Sequence, residues 1–137
     1  MVRKPGASIF FHSFEQAIKT GDPSELAHIY NEDFLFGASI GPQTVSRIEF
    51  LKAIGHKSGF LKDLGLLSTR VVSVDVSPMD ADYTLARVEW EMEVEKDLKP
   101  AQLVRVEASY ILHRLVDGFK VVAQIDHDDL AEKIRAL

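Results

Sequence analysis

A single change of hydrophobic period near Leu66 constrains this chain more than any motif in it. Before that point apolar residues recur at helical spacing; after it they alternate with polar ones, as on half-buried strands. The order predicted is helices first and a sheet second, in one α+β domain spanning residues 1–137. Phe10, Phe14, Ala17 and Ile18 mark the first helix. Gly21-Asp22-Pro23 stops it and begins a second, with Asp22 and Glu25 at capping-box spacing and Pro23 at the first helical position. Leu26, Ile29, Tyr30 and Phe34 form the buried stripe that follows. Phe34 to Ser39 reads as a short strand running into a turn at Gly41-Pro42-Gln43. A third helix begins at Ser46, where Glu49 completes another capping box; it carries Ile48, Leu51, Ile54, Leu61 and Leu64 and stops at Gly65.

Four longer strands come next, at roughly Leu66–Val76, Tyr83–Glu95, Gln102–Leu115 and Phe119–His127. Asp117-Gly118 is a strong hairpin signal, and a two-residue turn there pairs His113 with Val122, Ile111 with Gln124 and Ser109 with Asp126. Asp129 and Glu132 then cap a short final helix containing Leu130, Ile134 and Leu137. Around Trp90 the alternation is regular: Val88, Trp90, Met92 and Val94 share one face, Arg87, Glu89, Glu91 and Glu93 the other. The next strand repeats it, with Val104, Val106, Ala108, Tyr110 and Leu112 against Arg105, Glu107, Ser109, Ile111 and His113. Under the hairpin register Gln124 and Asp126 join the mixed face. Alternation alone leaves open whether the helices cover the apolar face or the apolar face meets a second subunit.

Sixteen Lys plus Arg against 21 Asp plus Glu give a net charge of -5, which disfavours a nucleic-acid binder held by phosphate contacts and a polybasic membrane module. The chain has no Cys, hence no disulfide framework, thiolate metal site or Cys nucleophile, and a reducing cytoplasm fits. The apolar run Ala7 to Phe11 is too short for a signal-peptide core, and no segment approaches the roughly 18 apolar residues of a membrane span.

Helix, Gly21-Asp22, helix, short aromatic strand, helix, then long antiparallel strands closing with Asp117-Gly118-Phe119-Lys120-Val121-Val122: this order resembles the SnoaL-like and ketosteroid isomerase-like branch of the nuclear transport factor two-like superfamily. The resemblance covers nearly the whole chain and rests on element order more than on local motifs. It implies a cone-shaped curved antiparallel sheet, with the N-terminal helices packed on its concave side around a pocket, and pairing of subunits through the convex side. It argues against steroid isomerisation. Phe14 stands where the family's helix Tyr is expected, Ala38 where its basic Asp is expected, and Ile111 near its second Asp. None of the three can donate the oxyanion hydrogen bond or exchange a proton. Arg87-Val88-Glu89 is similar to the Arg-x-Asp of limonene epoxide hydrolase-like proteins, and Asp126 resembles the carboxylate on their last strand. Arg87, Glu89 and Asp126 are therefore the candidate catalytic residues, one carboxylate activating water, another acid protonating the epoxide oxygen, the Arg bridging them. Glu89 replaces the family's Asp, and apolar residues near Phe36 and Ala38 replace its water-holding Tyr and Asn. Both comparisons turn Gln124 and Asp126 toward the cavity, so the mixed face is read as concave and Trp90's face as convex.

The pocket expected from this orientation is lined by Phe14, Tyr30, Phe36, Ala38, Ile111, His113 and Gln124. His12, His28 and His56 fall off the apolar stripes of their helices and meet solvent. His127 alternates away from Asp126 and Asp128, so that cluster reads as a helix cap; no metal site and no cofactor are called for. Two functions compete. One is a cofactor-independent hydrolase or isomerase acting on a small apolar substrate; the other is a module that only holds a ligand or associates with another protein. The expected partners are that small ligand and a second copy of the chain, with a contact that includes Trp90, Met92, Val106 and Tyr110.

Overall fold

A computed structural model describes residues 6–137. Helix α1 (Ala7–Thr20) ends where Gly21 takes a left-handed conformation, φ 67°, open to glycine without steric cost. The Asp22 carboxylate accepts from Ser24 N–H at 2.9 Å and starts α2 (Pro23–Ala27). Glu25 does not complete the expected reciprocal box; its carboxylate instead accepts from the Thr20 hydroxyl. Strand β1 (Tyr30–Ala38) folds back into β2 (Gly41–Ser46), so the expected turn at Gly41-Pro42-Gln43 is part of an edge strand, a position where Pro42 needs no ladder donor. Ser46 caps α3 (Arg47–Asp63) through Glu49 N–H. At the following turn Gly65 has φ 109°, and a Cβ there would collide with the Glu95 carbonyl. Strands β3 (Leu66–Pro78), β4 (Tyr83–Val94), β5 (Gln102–Leu115) and β6 (Gly118–Asp126) follow, then α4 (Leu130–Arg135), capped by Asp129.

The six strands form one curved, unclosed sheet in the order β2-β1-β6-β5-β4-β3. It is mixed rather than wholly antiparallel, because β1 runs parallel to β6. The helices cover Trp90's face. Phe14 of α1 packs its ring 5.4 Å from Trp90 and 5.9 Å from Tyr110, and Val88, Met92, Val94 and Leu112 are buried with them. The sequence-derived orientation is thus reversed: the apolar face is concave and the mixed face convex. Covering this broad apolar surface with an aromatic helix is the strongest burial available to the chain. Trp90, Met92, Val106 and Tyr110, expected in a subunit contact, are instead buried in the core of the single chain, where its own helices cover their face.

The hairpin register also differs. Val116 and Asp117 form the turn, and Leu115 pairs with Gly118. A bulge follows: Leu112 pairs with Val121 but Ile111 pairs with Ala123, leaving Val122 unpaired. Because strand side chains alternate, one extra residue moves everything beyond it to the other face. Gln124 pairs with Tyr110 and Asp126 with Ala108, so both share the apolar, concave face and leave the mixed face to which simple counting assigned them.

Candidate functional site

The interior of the cone is filled by its own aromatics. Tyr30 is fully buried between Phe14, Phe34 and Phe50, with ring centroids 4.7–5.8 Å away. Buried polar atoms among them need partners. Trp90 Nε1–H donates to Tyr110 Oη at 3.1 Å, and Tyr30 Oη–H donates to Gln124 Oε1 at 2.7 Å. Burial pushes both tyrosine hydroxyls well above their ordinary range, so they stay protonated.

From Gln124 a second bond leads outward: its Nε2–H donates to Asp126 Oδ1 at 2.9 Å. Asp126 stands in the wall of a cavity of about 300 Å³ at the open end of the cone, between the end of β1, helix α3 and the segment joining β6 to α4. Phe36 and Ala38 supply its apolar side, and Lys57 reaches it from α3. Burial raises the Asp126 carboxyl above the ordinary aspartate range, opposed by the Gln124 bond and by Lys57 and His127. The carboxyl therefore offers an acceptor whose proton affinity is raised, the property an acid-base group in a pocket requires. Asp126 Oδ2 has no hydrogen-bond partner among the described residues, and the described side chains leave no sealed polar atom unsatisfied; Oδ2 is accordingly reachable from the cavity.

Arg87 and Glu89 are not brought to this site. They project from the convex face of β4, where Arg87 is bound to Glu107 at 2.8 Å and Glu89 to Arg105 at 2.9 Å. Beside them Glu91, 3% exposed, is clasped by Arg70 and Arg105, which hold its carboxyl below the usual range, Arg70 contributing most. The Arg87–Glu107 and Glu89–Arg105 pairs line an open polar groove of about 360 Å³ on the outside of the sheet. Of the expected pocket residues, Phe36 and Ala38 line the cavity, Gln124 lies just beneath it, and Phe14 and Tyr30 are core. Ile111 and His113 face outward, the His113 ring stacked 5.0 Å from Tyr83. Lys57 was missed, yet it carries a signal: Phe50, Ile54, Lys57 and Leu61 follow one another at helical spacing, so a lysine interrupts an inward stripe. His12, His28 and His56 are exposed, and among the described residues no group of three His, Asp or Glu could hold a metal ion.

The sequence model of a family described as NTF2-like protein (DUF6841) matches residues 4–129. No curated protein matches the chain by sequence. Among solved structures, an NTF2-like protein from Rhodospirillum rubrum described as of unknown function in nutrient uptake is 18% identical, with a TM-score of 0.65 over 92% of this chain and all of the other. An NTF-2 like protein from Shewanella oneidensis is 13% identical, TM-score 0.65, over 89% and 96% of the two chains. A Mycobacterium tuberculosis protein is 11% identical, TM-score 0.70, over 94% and 73%. These likenesses establish the fold. No helix among the described residues is long and apolar enough to cross a membrane.

Proposed function

This chain belongs to the NTF2-like protein family, and from that premise we propose that it binds a small ligand at the open end of its cone, with Asp126 as polar anchor and proton-exchanging group. The observation that carries this reading is the hydrogen-bonded relay from Tyr30 through Gln124 to Asp126, which ends at a cavity with one apolar wall. Pockets for small molecules combine such walls with a few placed polar groups. Binding is favoured over epoxide hydrolysis because Arg87 and Glu89 stand across the sheet from Asp126, and over steroid isomerisation because Phe14, Ala38 and Ile111 supply no acid-base group. Within the superfamily we place the chain beside the SnoaL-like branch, and its proposed setting is the cytoplasm, on the same cysteine-free composition.

The test is a ligand-detected NMR screen of small polar aromatics with wild type and Asp126→Asn, run beside a panel of hydrophobic epoxides. Hits that compete at one site and weaken in Asp126→Asn support the reading. Asp126-dependent epoxide turnover would instead establish the hydrolase.

A second reading concerns the outside of the sheet. Leu85, Ile111, Ala123 and Leu35 are consecutive lateral neighbours across four strands and make an apolar row on the convex face. Tyr83 extends it, and Leu35, Leu85 and Tyr83 are each more than a third exposed. We propose that this row is the contact of a homodimer, replacing the one expected around Trp90.

A further inference from the structure

We infer that the cavity at Asp126 takes a small organic cation, a primary or secondary amine with a compact apolar or aromatic body, its ammonium group on Asp126 and its body against Phe36 and Ala38. The inference rests on the small-ligand reading above and specifies the chemistry of the ligand.

Glu15, Glu89, Glu91, Glu107, Asp126 and Asp128 are the buried or half-buried carboxylates of the described residues. Glu15 pairs with Lys19, Glu91 with Arg70 and Arg105, Glu107 with Arg87, Glu89 with Arg105, and Asp128 with Lys133. Of these six, Asp126 alone has no ion pair among the described residues, and it lines the cavity. An ionised carboxylate withdrawn from water is costly unless a cation or hydrogen bonds compensate it. Here the compensation is partial: Gln124 Nε2–H satisfies Oδ1, while Lys57 lines the same cavity and acts on the carboxyl through its charge but forms no ion pair with it. An ammonium group at Oδ2 supplies what is missing and would be held by a charge-assisted hydrogen bond.

The remaining wall agrees with that choice. Asp128 and Asp129 also line the cavity, so three aspartates stand there with Lys57 and His127, a balance that disfavours an anion. Asp128 is already engaged by Lys133 and the Glu107 N–H, and Asp129 by its capping bond to Glu132, which leaves Asp126 as the acceptor for the ligand. Phe36 presents a half-buried ring, a surface suited to the apolar body of an amine or to the face-on approach of its cation. About 300 Å³ is at the small end of ligand pockets, which selects a compact molecule.

Three probes of one shape separate the possibilities: benzylammonium, benzyl alcohol and benzoate, titrated into the whole chain and followed by amide chemical shifts and calorimetry. Benzylammonium should perturb Phe36, Ala38 and Asp126, bind about tenfold or more tighter than benzyl alcohol, and lose about that factor in Asp126→Asn. The amide of Asn keeps an acceptor for Gln124, and a melting curve of the variant confirms that it is folded. Equal binding of the alcohol or preference for benzoate, each Asp126-dependent, would overturn the cation while leaving the ligand pocket standing. Unchanged amine binding in Asp126→Asn would overturn the assignment of Asp126 as its partner. Absence of any perturbation at Phe36 and Ala38 by all three probes would overturn both the cation and the pocket.

Discussion

Asp126 and Glu91 are carboxylates on neighbouring parts of one sheet with opposite surroundings, and their pH behaviour should run in opposite directions. Burial raises the Asp126 carboxyl, so its favourable contribution is complete at pH below the ordinary aspartate range and is lost as pH rises through the raised value. Bonds from Arg70 and Arg105 lower Glu91, so its contribution is present above the ordinary glutamate range and is lost as pH falls through the lowered value. Asp126→Asn should therefore melt at or above the wild-type temperature at neutral pH, with the gap narrowing in acid. Glu91→Gln should melt below wild type at neutral pH, again with a gap that narrows in acid. Melting curves from pH 3 to pH 8 decide it; an Asp126→Asn deficit that grows toward neutral pH would mean that Asp126 is already compensated by a cation.

The strands and helices were largely legible because each had a local cause. Gly21-Asp22-Pro23, Ser46 with Glu49, and Asp129 with Glu132 lie at helix boundaries, and the Asp22, Ser46 and Asp129 side chains make capping bonds that carry over from sequence to structure. The facing of the sheet was not legible, because alternation gives two faces and no sign. The sign comes from where α1 lies, a tertiary fact set by Phe11 and Phe14 meeting Tyr110 and Trp90. Nor was the bulge: nothing in Lys120-Val121-Val122-Ala123 announces that Val122 is skipped. That one residue carries the site, since it turns Gln124 and Asp126 inward. Gln124→Leu should leave the buried Tyr30 hydroxyl without its acceptor. The expected loss is about 1–3 kcal/mol from the unsatisfied hydroxyl alone, read as a lower denaturation midpoint. A Gln124→Leu variant as stable as wild type would show that the Tyr30 hydroxyl does not depend on Gln124 for its partner.

Taken together, the chain is a one-sided container: helices fill the concave face, and the convex face is left half ion pairs, half apolar row. The apolar row from Leu85 to Leu35 predicts a dimer in solution, and Ile111→Asp, placing a charge at its centre, should give a monomer by light scattering at micromolar concentration while the fold persists by circular dichroism. A wild-type monomer under the same conditions would remove that interface. The inside has a sharper test. In ligand-free protein, the carboxyl carbon of Asp126 should be followed by NMR through a pH titration beside those of the exposed aspartates. Burial of Asp126 in the cavity wall, which outweighs the Gln124 bond and the charges of Lys57 and His127, requires Asp126 to titrate at higher pH than Asp22, whose carboxyl is held low by its bonds to Ser24. An Asp126 midpoint at or below that of Asp22 would place the carboxylate in water or in an ion pair, and would contradict the pocket built around it.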